Sequence, residues 1–493
     1  MDFYFQAARA AAATAVTAAA LLLAGCAQPA PVPAPLPTLT AAAVGLDTDP
    51  GTGTTRPAVA PAWWRALGDA RLDALVERAL AEQPRLQLAA ARLAQARVHS
   101  RLAGSAGELQ LGLGADATLQ RYSSHGLVPP SVAGTWQTTA DLRLNAGWEL
   151  DFWGRHGTAL AQALGQERAA LADIAAARTL LAAEVARSYI ALAQAGSTGE
   201  ITRQTLAQRE TIAALTRERA RAGLDTQAEV ALAAARVTEV QGQLLAVAER
   251  QTLLRHQLAA LSAQAPQALH GQAPTLAELQ LAAVPAGEGG AAGGPLLGAD
   301  LLGRRADLVA ARERVQAASH GVALARARFY PDLNLNVFAG LSALGLDKLV
   351  DIGSRTYGAG PALRLPLFDA PRLQAELGSR AAEVDAAVAA YNAALVDAAR
   401  GAADALALRA SLAGQIDQQA RTQVQVDEAW RIARARYDAG LSGYLQVLAA
   451  DDLRLAQARQ AAELRARALD AQVQLMHALG GGWDGATPAL SAR

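Results

Sequence analysis

The sequence predicts a mixed α and β membrane protein that arose by internal duplication. Three observations predict it. Four segments alternate apolar and polar residues with period two. Two long stretches, 131–265 and 372–487, contain no proline. One order of elements occurs in both halves of the chain.

The chain has 493 residues, enough for two or three ordinary domains or one elongated one. Its 45 basic and 45 acidic residues cancel, so no basic stripe is implied and nucleic acid is not expected as a partner. Aromatics make up only 4% and alanine dominates, which suits long, closely packed helices. The one cysteine, Cys26, excludes an intrachain disulfide and a Cys-based metal site. The seven histidines are scattered without an H-x-x-x-H pair. No P-loop, nucleophile elbow or dinucleotide fingerprint occurs. The expectation is a protein with no catalytic residue, cofactor or metal.

Residues 1–25 read as a secretory signal, with Arg9 as its charge and an apolar or small run from Ala10 to Leu23. That run is too short to span a bilayer. It ends in Leu23-Ala24-Gly25-Cys26, which resembles the bacterial lipobox. The resemblance implies cleavage before Cys26 and acylation of its sulfur, against the alternative of an incidental cysteine behind a plain signal. Acylation adds roughly 0.8 kcal/mol of membrane affinity per buried CH₂, so several chains hold firmly. Residues 26–62 follow as a tether, with Pro29, Pro31, Pro33, Pro35 and Pro37 favouring an extended chain without a core.

The first hairpin is expected over 109–151. Leu111, Leu113, Ala115, Ala117 and Leu119 alternate with Gly112, Gly114, Asp116 and Thr118. In the return strand Ala140, Leu142, Leu144, Ala146 and Trp148 alternate with Asp141, Arg143, Asn145 and Gly147. A second hairpin is expected over 332–368, where Leu333, Leu335, Val337 and Ala339 share a face and Tyr357, Ala359, Leu363, Leu365 and Leu367 share another. Such lengths match the ~9–11 residues that cross a bilayer as tilted β-structure. Four strands cannot close a barrel around water, and an open edge in lipid leaves backbone groups unpaired. Either the sheet is half-buried in a soluble sandwich, or several chains share one barrel; three chains would give twelve strands.

Long helices are expected at 153–222 and 226–263, and again at 371–438 and 442–479. In the first, Leu160, Leu164, Leu171, Ile174, Leu181, Val185 and Leu192 form a coiled-coil seam. The first helix spans on the order of 100 Å at 1.5 Å per residue, with a polar face that excludes a transmembrane role. Gly223 and Gly440 mark the two helix ends. The repeats are bounded as 63–284 and 304–482, with a linker at 285–303 and a tail at 483–493.

Several motifs in order resemble the TolC-like outer-membrane factors, more closely the OprM/NodT branch of lipoproteins in RND efflux pumps. The first copy opens with Trp63-Trp64, then Asp69, Leu72, Leu75-Val76, Ala79-Leu80 and Pro84. Trp148-Glu149-Leu150-Asp151-Phe152-Trp153-Gly154-Arg155 resembles that branch's strand-to-helix junction. Arg304-Arg305-Ala306-Asp307-Leu308 and Phe329-Tyr330-Pro331 resemble its second-copy opening, and Leu365-Pro366-Leu367-Phe368-Asp369 its second junction. The resemblance implies a homotrimer with a twelve-stranded β-barrel in the outer membrane. A twelve-helix barrel would continue it into the periplasm, and a periplasmic adaptor and an inner-membrane RND pump would be its partners. The expected function is a passive exit duct for drugs and other small toxic compounds. A type I protein-secretion duct and a structural coiled-coil lipoprotein are the alternatives.

The chain departs from the family near the second turn. Positions that are often acidic in relatives read Ser442, Gln446 and Ala449, with Asp451 and Asp452 further on. Candidate substitutes for a periplasmic gate are Asp225, Glu229 and Asp438, with Arg434 and Arg436 as partners across the two turns. Leu441 and Leu445 are the candidates for an apolar seal. Ala370-Pro371-Arg372 replaces the glycines that relatives often carry, and proline is acceptable in a first helical turn.

Overall fold

The structure, a computed structural model, describes residues 29–45, 59–272, 274–281, 304–366 and 368–483. The signal, Cys26, the linker 285–303 and residues 484–493 lie outside them. In chain order the main elements are α1 (Ala70–Glu82), α2 (Pro84–Ser105), β1 (Gln110–Arg121), β2 (Trp136–Leu150), α3 (Arg155–Arg221) and α4 (Gln227–Leu261). Then follow α5 (Ala306–Ala327), β3 (Asp332–Leu344), β4 (Arg355–Arg364), α6 (Ala370–Asp438) and α7 (Tyr444–Ala478). Strand β4 stops at Arg364, short of the expected 368; Leu365 and Pro366 leave the ladder, where proline offers no N–H. Helix α7 starts two residues later than expected, because Gly443 at its N-cap is extended (φ −74°, ψ 151°).

The described chain falls into two compact units. The first holds the strands, the end of α2, the start of α3, and the segments 312–390 and 29–38. Its four strands form one antiparallel sheet in the order β1-β2-β3-β4. The junction motif explains itself at the sheet's end. Asp151 accepts the N–H groups of Arg155, His156 and Gly157 and so caps α3. Arg155 in turn pairs with Glu149 next to β2's end and with Asp332 at the start of β3. Trp153 donates to the Pro331 carbonyl at 3.0 Å and stacks on Tyr330 at 4.6 Å. One helix thereby grips strands from both halves of the chain.

Small residues take over where the leucine seam was expected in this unit. Leu164 is exposed, while a Cβ on neighbouring Gly165 would stand only 3.0 Å from the Ala317 side chain. The backbones of α3 and α5 approach at glycine and alanine, so the leucine of the heptad is not what packs there. From Ile174 onward Leu181, Val185 and Leu192 are buried, in the second unit.

The Pro-rich segment is not a free tether where it is described. In the first unit Ala30 N–H donates to Gln374 and Leu36 N–H to Asp385, at 3.0 and 2.8 Å. Val32 packs on the cluster of Ala325, Phe329, Leu373 and Leu377. Six extended residues rise about 19 Å and eleven helical ones about 17 Å, so the strap keeps step with α6. In the second unit Leu39 N–H donates to Asn392 at 2.8 Å, and Ala41 and Val44 pack on Leu308, Leu395 and Ala398. The sequence-level expectation of a chain without a core missed this, because each contact uses a backbone N–H or one small apolar side chain.

The main core lies in the second unit. Trp63, Trp64, Leu72 and Val76 pack there against Val185 and Tyr189 of α3, Leu258 of α4, and Leu469 and Val473 of α7. Asp69 caps α1, accepting Arg71 N–H at 2.9 Å, and takes the Tyr189 hydroxyl at 2.5 Å in a buried setting. Burial alone would raise the Asp69 carboxyl, but the Arg71 and Tyr189 hydrogen bonds outweigh it and hold it below the usual range. The second copy opens in a matching way. Asp307 is paired by Arg305 at 2.6 Å, and Arg305 also reaches the Ala478 carbonyl at the end of α7.

Candidate channel surface and gate residues

The strand register sorts the sheet into two faces. On one, Leu111–Ala146–Val337–Ala359 lie in a row across all four strands, as do Leu113–Leu144–Ala339–Tyr357. Trp148, Leu335 and Pro361 continue that face, and Arg121 and Arg355 are the charges at its far edge. These side chains are uncovered: Leu113 is 72% and Tyr357 83% exposed. A contiguous apolar band of this kind marks a surface built to contact lipid or protein.

The other face carries Gln110, Asp116, Asn145, Glu149, Asn334, Asn336 and Arg364, with Phe338 as its one aromatic. Asp116 stands directly opposite Asp141, and Arg143 pairs with Asp141 at 2.8 Å, which offsets part of that repulsion. The outer edges of β1 and β4 pair with no strand among the described residues. Edges left open beside an apolar face are tolerable in lipid only if another strand pairs with them.

The two helical turns end alike. Leu224 N–H donates to Arg219 O at 2.9 Å and Leu441 N–H to Arg436 O at 2.8 Å. Gly223 and Gly440 take φ of +74° and +70°, the left-handed position that glycine adopts without strain. They restart differently. Thr226 and Glu229 form a reciprocal capping box at the start of α4, whereas Gly443 gives α7 no side-chain cap. Glycine at this position leaves the helix start only about 0.3 kcal/mol weaker than a side-chain cap would.

Most of the candidate gate charges find partners within their own turn. Arg219 grips Asp225 with two hydrogen bonds of 2.9 and 3.0 Å, which holds the Asp225 carboxyl below its usual range. Glu229 is engaged in the capping box. Arg434 pairs with Asp438 at 3.2 Å and lies over the Tyr437 ring. Within the chain, then, the expected pairing of Arg434 with Asp225 or Glu229 across the turns is replaced by the local pairs Arg434–Asp438 and Arg219–Asp225. The side chain of Arg436 has no ion pair among the described residues. Leu441 and Leu445 are exposed, and the Ser442 hydroxyl is buried without a hydrogen-bond partner.

The structure adds residues that the sequence did not single out. Arg209 of α3 pairs with Asp452 of α7 at 2.6 Å, and Gln208 donates to the Leu448 carbonyl at 2.7 Å. Further along, Arg187 meets Asp470 at 2.6 Å. The partners stand more than two hundred positions apart, so only the fold brings them together.

The residue pattern of the family described as outer membrane efflux protein matches 75–264 and 297–481. The chain is 31% identical over 429 residues to the multidrug resistance outer membrane protein MdtQ of Escherichia coli O6:H1, covering 85% of this chain and 88% of that protein. It is 32% identical over 429 residues to MdtP of Escherichia coli K12, covering 85% and 86%. Its fold matches the crystal structure of the outer membrane protein VceC of Vibrio cholerae, with a TM-score of 0.78 and 34% identity over 86% of this chain and 100% of that one. With its helical majority, its four-stranded sheet and these relatives, the chain belongs to the outer membrane efflux protein family, as a channel component of efflux across the outer membrane.

Proposed function

We propose that three copies of this chain form one passive exit duct for drugs and other small toxic compounds. The carrying observation is the four-stranded sheet with one apolar face and two unpaired outer strands. Pairing β1 of one copy with β4 of the next closes a twelve-stranded barrel, with apolar rows toward lipid and polar rows toward water. The long helices α3, α4, α6 and α7 continue the duct into the periplasm, where no transmembrane role suits them. Duplication of one ancestral unit accounts for the two helix–hairpin–helix halves. Cys26 carries the lipid anchor, and the strap 29–45 leads from it along α6.

The duct has no energy source of its own, so a periplasmic adaptor and an inner-membrane RND pump are its partners. The multidrug resistance names of MdtQ and MdtP support drugs as cargo. The gate lies at the second turn, where Leu441 and Leu445 are exposed and α7 starts uncapped. The test is twofold. Purified protein in planar bilayers is expected to conduct, and the gene is expected to restore drug resistance to an efflux-deficient strain that supplies adaptor and pump. A correctly folded, membrane-inserted protein that passes no current would reject the channel reading.

A further inference from the structure

Phe338 stands among polar and small residues on the polar face, and its setting is specific. Its neighbours in register are Asn145 on β2 and Gly358 on β4. A Cβ on Gly358 would lie 2.7 Å from Cε1 and 2.8 Å from Cζ of the Phe338 ring. The end of the ring therefore rests directly on the β4 backbone, and the side chain is half-buried. From the other side the Arg143 guanidinium stands 5.8 Å from the ring centroid. Arg143 is itself held by Asp141 at 2.8 Å. The next residue of β3 on this face, Gly340, has no room for a side chain, since a Cβ would meet the Leu142 carbonyl at 2.1 Å.

We propose that Phe338 sets the bore of the strand section, and that Gly358 is the residue that keeps its ring laid down against the wall. The proposal rests on the reading above, in which the polar face lines the water path of a three-chain barrel. With Gly358 the ring lies along β4 and the path stays wide. Any Cβ at 358 takes the space of the ring's end. That end belongs to a flexible side chain, so the ring is displaced and the backbone is not. The ring's end must shift off the β4 backbone, and the open side is the space this face lines. Three copies of a lifted ring then narrow one passage, at the same depth in each chain. Arg143, which covers the flat ring from β2, loses its seat in the same movement.

The experiment compares single-channel conductance of wild type, Gly358→Ala and the double variant Gly358→Ala with Phe338→Ala, each purified as the intact membrane-extracted assembly. The expected result is a loss of conductance in Gly358→Ala and its recovery, to wild type or above, in the double variant. Unchanged conductance in Gly358→Ala overturns the proposal, and so does a loss that removing the ring does not repair. If Gly358→Ala fails to assemble, Phe338→Trp serves, because a larger ring needs more than the glycine's space. A folded Phe338→Trp that conducts like wild type counts equally against the proposal.

A second measurement separates this claim from the reading beneath it. With Cys26 replaced by alanine, single cysteines are placed at Asn145 and Leu144, adjacent residues on opposite faces of β2. A charged, water-borne thiol reagent is expected to block current through Asn145→Cys and to leave Leu144→Cys unaffected. Reaction at Leu144→Cys alone means that the polar face does not line the path, and the proposal falls with that reading. Block at Asn145→Cys with no effect of Gly358→Ala leaves the channel reading standing and removes only the role of Phe338.

Discussion

The Arg209 guanidinium of α3 holds the Asp452 carboxylate of α7 at 2.6 Å, joining a helix of the first half of the chain to one of the second. Gln208 strengthens the joint by donating to the Leu448 carbonyl, one turn from Asp452 on α7. Both charges are partly exposed, so the pair contributes only about 0–1 kcal/mol per chain. In an assembly it acts in every copy. The variant Arg209→Ala with Asp452→Ala is expected to loosen α7 near its uncapped start. The readouts are a higher single-channel conductance and greater vancomycin sensitivity of whole cells. Wild-type values for both in a well-expressed variant would show that this joint has no part in closure.

Cys26 is expected to carry the lipid anchor. Growth with a labelled fatty acid should mark the wild-type protein and leave Cys26→Ala unmarked. Membrane fractionation should still recover Cys26→Ala, because the proposed shared barrel would hold the protein independently. Absence of label on the wild type refutes the anchor.

Three copies are expected in detergent, because four strands leave two outer edges to be paired. Native mass measurement after mild extraction is the check. A stable single chain that still conducts would contradict the shared barrel.

The bond between Tyr189 and Asp69 is expected to matter for the main core. Tyr189→Phe removes one hydrogen bond to a buried carboxylate, which costs about 1.5–3 kcal/mol. Thermal unfolding of the variant should show that loss, with β-sheet content unchanged at low temperature.

Acid should act through the same pair. The Asp69 carboxyl titrates lower in the folded chain than in the unfolded one, because its bonds to Arg71 and Tyr189 outweigh burial. Its stabilisation is therefore complete above the ordinary aspartate range and declines as pH falls through that range toward the lowered folded value. Asp69→Asn should flatten this acid limb in a melting-temperature profile. An unchanged limb would assign acid sensitivity to other carboxylates.

The strands were legible because their alternation is strict: each apolar residue from Leu111 to Leu119 met an apolar or small partner across the ladder, save Thr138 opposite Leu119. The helix ends were legible at Gly223 and Gly440, where only a left-handed residue lets the chain turn. The start of α7 was not, since Ser442 looks like a cap but has its hydroxyl buried and unbonded. Nor was the contact of Gly165 with Ala317, because close backbone approach leaves no apolar period to read. Among the candidate gate residues, charge was visible but pairing was not. Arg219 pairs with Asp225 inside the first turn, and charge type alone does not distinguish that local partner from one across the two turns.

The central ladder of the sheet has a further consequence, for the order in which the molecule is made. Strand β2 pairs on one side with β1, a near neighbour in sequence, and on the other with β3, so that Thr139 meets Leu344, 205 positions later (344 − 139). The first hairpin is therefore complete while its second edge has nothing to bind. During that interval Leu142, Leu144 and Trp148 face water beside an open row of N–H and C=O groups, the condition that favours wrong pairing between nascent chains. Contacts this distant also make closure slow. Only the second hairpin ends that interval, by pairing β3 with the open edge of β2.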